Sequence, residues 1–423
     1  MKYLNQHINS IQNHRVLLVT FCFLLFLLPN TGQSLDRRKP QFQTESSYLV
    51  FPMPIALPGI GEMVIVTALA GNMAGTNMDA YVLGITGDAE GYAGEFGDIH
   101  LLPETLIFGI FSHNLNKVTF NNYASRGMNS DPDDYTLVEQ TQFEGLEAKL
   151  TLTLFERRFE LFGVQYNQEV TTSRILDSGG NLIADLSPAN QSESKTTTYG
   201  TVIDYTDDRQ DPRVGARLEV SRSNTPTDDL EAPEFNVWNS NLTVYIPIGK
   251  ISTIALNYFQ SDAEVTREGQ TDRTALEQEL GIDCLGDPEC ETARDNLVQT
   301  NWASNKYGTA TSLGGDERLR GYPFGRYQGA HTRFYGTEFR WNISEETKPF
   351  DWFIWKDVRT GTQVAFFYET GTVADTEEDL GTHYRSNYGL GFRLVTASGF
   401  VYRPEVAAGE EGVAASITFN YPW

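Results

Sequence analysis

The sequence has 423 residues with 32 Lys and Arg against 56 Asp and Glu, a formal net charge of −24 at pH 7. Such an acidic chain lacks the basic surface that phosphate binding requires, so a nucleic-acid partner is excluded. The mean hydropathy is negative, yet the chain contains 25 Phe and 20 Tyr. A polar average with many aromatic residues suits a membrane barrel, in which only alternate strand residues face lipid and aromatic residues line the interfaces.

The first 34 residues have the pattern of a secretory signal peptide. Lys2 and Arg15 precede an apolar run at residues 16–28, and the breaker Pro29 follows it. This run is shorter than the roughly 20 apolar residues of a spanning helix, and no later stretch is longer. We expect a signal peptide at residues 1–34, with an uncleaved anchor helix as the alternative.

Removal of the signal would leave Cys284 and Cys290 as the only cysteines, because Cys22 lies within it. Export to an oxidising compartment favours a disulfide between two thiols at this spacing. The alternative is a metal site, but two ligands with no nearby histidine do not make a zinc site. We therefore expect a disulfide, no metal and no cofactor.

From residue 47 onwards the chain alternates apolar and polar residues in segments of about 9 to 13 residues, separated by Gly, Asp, Asn and Pro. In residues 332–343, one face has Tyr335, Phe339, Trp341 and Ile343, and the other has Glu338, Arg340 and Asn342. In residues 386–394, Arg393 falls on the polar face in the same way. One face suits lipid and the other a wet lumen. A soluble β-sandwich is the alternative.

Sixteen segments of this kind predict an all-β, antiparallel transmembrane β-barrel of about 16 strands at residues 48–423, after a short extension at residues 35–47. The segments lie near Tyr48, Glu62, Met78, Gly91, Glu104, Tyr135, Arg157, Thr196, Ala216, Phe235, Lys250, Thr332, Thr362, Arg385, Phe400 and Val413. The longest connection, residues 262–330, is expected at the surface. At the opposite rim, residues 345–361, with Trp352, Phe353 and Trp355, are expected to form an interfacial segment.

The long connection contains the run Leu313-Gly314-Gly315-Asp316-Glu317-Arg318-Leu319-Arg320-Gly321-Tyr322. Leu319, Arg320, Gly321 and Tyr322 resemble the hydrophobic-Arg-Gly-aromatic signature of the bacterial surface-antigen superfamily, which includes the BamA and TamA assembly barrels. The resemblance implies that this loop folds into the lumen, where Arg320 meets acidic residues of the next two strands.

The acidic residues that match in order are Glu338 and Glu369. Alternation independently assigns both to the lumen face, since Phe339 and Tyr368 take the lipid face. A guanidinium between two carboxylates would anchor the loop. Gly321 is expected to permit the backbone turn that delivers Arg320, and Tyr322 to pack against the wall, with Gly314 and Gly315 as loop glycines. The alternative is an ordinary Arg-Gly pair in a loop tip.

Both ends of the barrel add to the resemblance. The turn at residues 207–215 is similar to an Asp-Arg...Pro...Gly turn of the family, and Phe419, Tyr421 and Trp423 resemble its terminal insertion signal. We expect the last strand to end on Trp423. The short extension leaves no room for the periplasmic POTRA domains that assembly proteins of this family usually have. The first strand contains Pro52 and Pro54, so its seam with the last strand is expected to be weak.

These features predict a bacterial outer-membrane barrel involved in inserting or translocating protein or lipid without its own periplasmic domains. The alternative is a passive channel or surface antigen whose loop acts as a plug. An enzyme is not expected, because no histidine has a Ser, Asp or second His at catalytic spacing and no Gly-x-Ser-x-Gly turn occurs. Expected partners are outer-membrane lipid and lipopolysaccharide, the machinery that assembles the barrel itself, and either a separate periplasmic partner or a second copy.

Overall fold

The computed structural model of the chain describes residues 46–227, 229–345, 350–352, 355–358, 360–396 and 401–423. The signal peptide expected at residues 1–34 lies outside the described residues, as does most of the extension expected at residues 35–47. The first strand begins at Ser47, one residue before the predicted start of the barrel.

Sixteen strands form one closed antiparallel barrel, as predicted. They are β1 (Ser47–Leu57), β2 (Gly61–Gly71), β3 (Asp79–Gly87), β4 (Glu90–Leu102), β5 (Leu106–Tyr123), β6 (Tyr135–Leu154), β7 (Phe159–Leu176), β8 (Leu182–Asp204), β9 (Gly215–Asn224), β10 (Glu234–Ile248), β11 (Ser252–Arg267), β12 (His331–Glu345), β15 (Thr360–Ala374), β16 (Arg385–Thr396), β17 (Val401–Gly409) and β18 (Gly412–Phe419). The two short strands β13 (Phe350–Trp352) and β14 (Trp355–Val358) form a hairpin between β12 and β15.

The wall has the two faces that alternation predicts. On β12, Tyr335, Trp341 and Ile343 are 42%, 44% and 52% exposed and face outward. Glu338 and Arg340 alternate with them and are buried. Since large apolar side chains on the outside of a closed barrel match lipid, this wall has the character of a membrane-spanning one.

The two ends of the barrel differ. The end that carries the β11–β12 connection is called the loop end, and the opposite end, where Ser47 and Phe419 lie, is called the turn end. Strands β5 to β8 have 18, 20, 18 and 23 residues, well above the roughly 9 to 11 that cross a bilayer. They therefore extend beyond the wall at the loop end.

The β11–β12 connection contains two helices that the strand pattern missed. Helix α1 (Arg273–Leu280) and helix α2 (Pro288–Tyr307) begin after Asp272 and Asp287, whose carboxylates accept backbone N–H groups of the first turn. An Asp before each start, and Pro288 in the first turn of α2, are N-terminal signals readable in the sequence. Among the described residues, no helix is long and apolar enough to span a membrane.

The helical insert rests on the protruding strands. Cys284, in the connection between α1 and α2, forms a disulfide with Cys290 in the first turn of α2. Both cysteines are buried with Ile282 against Ile175 of β7 and Leu186 of β8. The insert is thus held over the loop end by an apolar contact with the extended hairpin.

The expectation that the last strand ends on Trp423 is wrong. Strand β18 ends at Phe419, and Asn420 has a left-handed backbone with φ 60°. Asparagine adopts this conformation more readily than most residues, and here its N–H donates to the carbonyl of Val401 over 2.7 Å. The turn directs Tyr421 and Trp423 into the barrel, where Trp423 is buried in a cluster with Tyr245, Phe259 and Phe334.

The seam between β1 and β18 is the weakest junction of the barrel. The described residues join the two strands through one register pair, Ala56 with Ile417. The β3–β4 and β16–β17 ladders, the next shortest, have seven register pairs each. Near the turn end, the backbone of Tyr48 pairs instead with Lys356 of β14. The segment predicted to be interfacial therefore forms a hairpin beside the seam, with Phe353 outside the described residues.

Two prolines of β1 face the seam. The β1–β2 ladder runs unbroken through Pro52 and Pro54, so the positions at which these residues lack an N–H point away from β2 and towards the seam. The middle of the β1 edge therefore offers no donor at two successive seam-facing positions. A weak seam is expected from the sequence, but with Ala56 opposite Ile417, Pro54 lies opposite Phe419 and Pro52 lies beyond the end of β18. The prolines therefore act only on the part of the seam nearest the turn end.

Candidate functional site: the lumenal loop tip

The β11–β12 connection ends in a compact segment, residues 313–327, that is called the lumenal tip. A bridge between Leu313 and Tyr327, with two backbone hydrogen bonds of 2.9 Å, closes it. Gly314 and Gly315 have φ of 102° and 115°, values that residues with a side chain adopt at a cost. Their N–H groups donate to carbonyls within the tip. The doubled glycine thus folds the tip back on itself.

The role expected for Gly321 needs correction. The left-handed conformation before Arg320 belongs to Leu319, with φ 55°, and Gly321 has no positive φ. Gly321 instead lies against β16, where an added Cβ would lie 2.8 Å from the Cβ of Asn387. The motif requires glycine here for close packing against the wall.

Arg320 meets both glutamates that the resemblance pointed to, and a third that it did not. Its Nε donates to Glu369 over 2.7 Å and its Nη2 to Glu338 over 3.2 Å. Its Nη1 donates to both carboxylate oxygens of Glu405, on β17, over 2.9 and 3.0 Å. The backbone N–H of Arg320 also donates to Glu369 over 2.9 Å. One loop residue is therefore bonded to β12, β15 and β17.

Glu405 was missed in the sequence although its pattern is readable. Arg403, Glu405 and Ala407 alternate on the buried face of β17. A charged pair on the lumen face of a strand next to inward-pointing Arg393 is a signal for an ionic cluster. The family resemblance points only to the two strands that follow the loop, and β17 is further along the chain.

Four arginines and three glutamates share this buried cluster. Glu338 accepts from Arg340 over 2.6 Å and also from Arg393. Glu405 accepts from Arg403 over 3.1 Å. Burial alone would lower the pKa of Arg320, but Glu369, Glu405 and Glu338 raise it above its ordinary value, so the guanidinium stays charged. Each arginine is paired with a glutamate, and the carboxylate of Asp316, 3.8 Å from Arg403, provides a fourth negative charge. Such pairing is the condition for holding ions away from water.

The apolar residues of the motif complete the anchor. Leu319 and Tyr322 are fully buried and pack with Leu313 and Tyr327 against Phe334 and Val373 of the wall. The hydroxyl of Tyr322 donates to the carbonyl of Ser386 over 3.0 Å. An ionic centre inside an apolar contact fixes the tip in one orientation.

A second buried arginine, absent from the predicted motif, links the tip to two other connections. Arg326 donates from Nε to Glu411, between β17 and β18, over 2.9 Å. Its Nη1 and Nη2 donate to the hydroxyl and the carbonyl of Ser130, in the β5–β6 connection, over 2.6 Å each. The tip is thus tied to the loop end as well as to the lumen wall.

The turn at residues 205–214 lies at the turn end. Asp207 accepts the N–H groups of Arg213 and Val214 over 2.8 and 2.9 Å. Asp211 accepts the hydroxyl of Tyr421 over 2.7 Å. The family-like turn and the C-terminal aromatic residues, which the sequence presented as separate features, are therefore in direct contact.

No protein-family model matches the sequence, and no curated protein matches it. CdiB from Acinetobacter baumannii is similar in structure, with a TM-score of 0.50 and 11% identity over 90% of this chain and 60% of that chain. CdiB from Escherichia coli has a TM-score of 0.49 and 11% identity over 90% and 67% of the two chains. BamA from Haemophilus ducreyi, lacking POTRA domains 1–3, has a TM-score of 0.49 and 11% identity over 89% and 68%.

At this identity the similarity concerns architecture. The chain has a closed β-barrel fold similar to that of CdiB from Acinetobacter baumannii.

Proposed function

We propose that this protein inserts or translocates a protein or a lipid at the outer membrane, and that it opens at the seam between β1 and β18. The observation that carries this proposal is the seam itself, with one register pair where the next shortest ladders have seven. Separating β1 from β18 breaks few backbone hydrogen bonds, whereas opening the barrel anywhere else breaks many.

In this proposal Arg320 is the anchor of a movable plug. Leu319, Gly321 and Tyr322 position it, and Glu338, Glu369 and Glu405 receive it. Phe419, Tyr421 and Trp423 act earlier, as the signal that the assembly machinery reads in the unfolded chain. Lipid and lipopolysaccharide contact the outer wall, and client delivery falls to a separate periplasmic partner or to a second copy.

The second candidate is a passive channel or surface antigen with a plug, and the buried anchor of the lumenal tip favours it. A plug that never moves needs the same contacts. The two candidates differ in whether the seam opens.

The test uses urea-unfolded copies of this chain as the client. Liposomes with and without the folded barrel receive the unfolded chain, and folding is followed by the heat-modifiable band on gels. Liposomes containing a barrel with Ala56→Cys and Ile417→Cys joined by a disulfide are the matched control. We expect faster folding with the free seam and no acceleration with the locked seam.

Planar-bilayer conductance completes the test. Wild type and a variant lacking residues 316–327 are compared. A closed wild type and a conducting variant support the movable plug. Steady conductance in wild type, together with no acceleration of folding in liposomes, would overturn the proposal in favour of the passive channel.

A further inference from the structure

The lumenal tip contacts both sides of the seam. On the β1 side, the N–H of Phe324 donates to the carbonyl of Pro58, in the β1–β2 connection, over 2.7 Å. The approach is close, since a Cβ added at Gly59 would lie 3.0 Å from Pro323 and from the nitrogen of Phe324. One edge of the seam is thus fixed to the tip.

On the β18 side, several hydrogen bonds reach the tip. Thr418 of β18 donates to the carboxylate of Asp316 over 3.0 Å. Glu411, immediately before β18, accepts from Arg326 over 2.9 Å and from the hydroxyl of Tyr327 over 2.8 Å. The second edge is fixed to the same tip, at two points along its length.

Between the two edges lies a cavity of about 520 Å³. The end of β1 lines one side, the start of β18 lines the other, and Gly321 and Pro323 of the tip form part of its lining. The strand edges diverge here, above the Ala56–Ile417 pair. Across this gap the tip provides the connection that the ladder does not.

We infer that the lumenal tip is a clasp that holds the seam shut from inside, so that displacement of the tip and separation of β1 from β18 are coupled. This inference rests on the proposed function and names its regulation. Whatever pulls Arg320 and Arg326 from their carboxylates also removes hydrogen bonds that join the two edges. Because coupling is reciprocal, a locked seam must in turn hold the tip in place.

The test uses a pair of spin labels across the seam, called the seam reporter, in the purified full-length barrel with its native disulfide left oxidised. Spin labels at Ala56→Cys and Ile417→Cys broaden each other's spectrum while the seam is closed. Glu411→Gln weakens the contacts with Arg326 and Tyr327, and Thr418→Val removes the contact with Asp316. For Glu411→Gln we expect the open population to rise about tenfold, the scale of losing a charge-assisted hydrogen bond. Thr418→Val should shift it in the same direction.

Glu410→Gln is the matched control. It is the same chemical change one residue earlier, at a side chain that pairs with Arg385 of β16. The backbone N–H of Glu410, which donates to Tyr322 of the tip, is kept by the substitution. Its spectrum should match wild type. If Glu411→Gln disturbs folding, Thr418→Val remains as a smaller change with the same predicted direction. Unchanged broadening in both variants would overturn the clasp.

The reciprocal experiment follows proteolysis within residues 313–327 of an Arg320→Ala barrel. A disulfide between positions 56 and 417 should slow it, and an unchanged rate would also overturn the clasp. Neither readout needs a client or a current. If the seam opens when the tip is released but the barrel has no insertion activity, the proposed function is wrong and the clasp stands. If the barrel is active but its seam does not respond to the tip, the clasp is wrong and the proposed function stands.

Discussion

Tyr421 donates a hydrogen bond of 2.7 Å to Asp211, and this contact joins the last residues of the chain to the turn between β8 and β9. The guanidinium carbon of Arg340 also lies 4.2 Å from the centre of the Tyr421 ring. The C-terminal segment therefore crosses the turn end of the lumen. The barrel is occupied at two levels, by this segment and by the lumenal tip.

Replacement of Tyr421 with Phe should lower the free energy of unfolding by about 1.5–3 kcal/mol, the usual contribution of a hydrogen bond to a charged group. Urea unfolding in detergent micelles measures it. Tyr368→Phe is the control, because its hydroxyl bonds the neutral hydroxyl of Ser386 on the exposed outer face. An equal decrease in the free energy of unfolding in the two variants would mean that the hydrogen bond to Asp211 contributes no more than one between neutral groups.

Replacement of Arg320 with Ala should lower the free energy of unfolding by about 3–5 kcal/mol, because it removes the arginine that pairs with the buried carboxylate of Glu369. The barrel should lose heat resistance on gels, and protease should cut within residues 313–327. Arg174→Ala is the control, since Arg174 is 53% exposed and 3.6 Å from Glu139, and exposed pairs contribute little. Wild-type heat resistance and protease protection in Arg320→Ala would refute the anchor.

Replacement of Gly409 with Ala should displace Tyr322, since the new Cβ would lie 2.7 Å from its ring. Overpacking of this kind costs about 1–3 kcal/mol. Gly84→Ala, on β3, is the matched control because no atom lies within 4 Å of its added Cβ. The unfolding temperatures of the two variants are compared. An equally small decrease at Gly409 would show that the ring of Tyr322 can move aside at little cost.

Replacement of Pro52 and Pro54 with Ala should strengthen the seam. Loss of proline alone destabilises by about 0.4–1 kcal/mol per site through the unfolded chain, so a rise in unfolding temperature would require new hydrogen bonds from the restored N–H groups. We also expect a smaller open population in the seam reporter. A lower unfolding temperature with no change in the seam would show that the prolines do not weaken it.

The sequence by itself determined the wall of the barrel. Alternation is a local property, because successive side chains of a strand point to opposite faces, so Trp341 outside and Glu338 and Arg393 inside could be assigned without knowing any contact. The prolines of β1 act through a missing N–H, which is also local. Where they act along the seam depends on the register of β1 against β18, which only the structure shows.

The tertiary structure decided what meets inside the lumen. Glu405 joins Arg320 from 85 residues away, and Arg326 reaches Ser130 across 196 residues. Contacts between residues so far apart in the sequence depend on how barrel closure brings distant strands together. The alternation of apolar and polar residues along a strand does not contain that information. The sequence did not predict the inward turn at Asn420 for the same reason. An alternating apolar C-terminus fits either a lipid-facing strand or a buried cluster. Trp423 is buried because there is space for its ring beside Gly336 of β12.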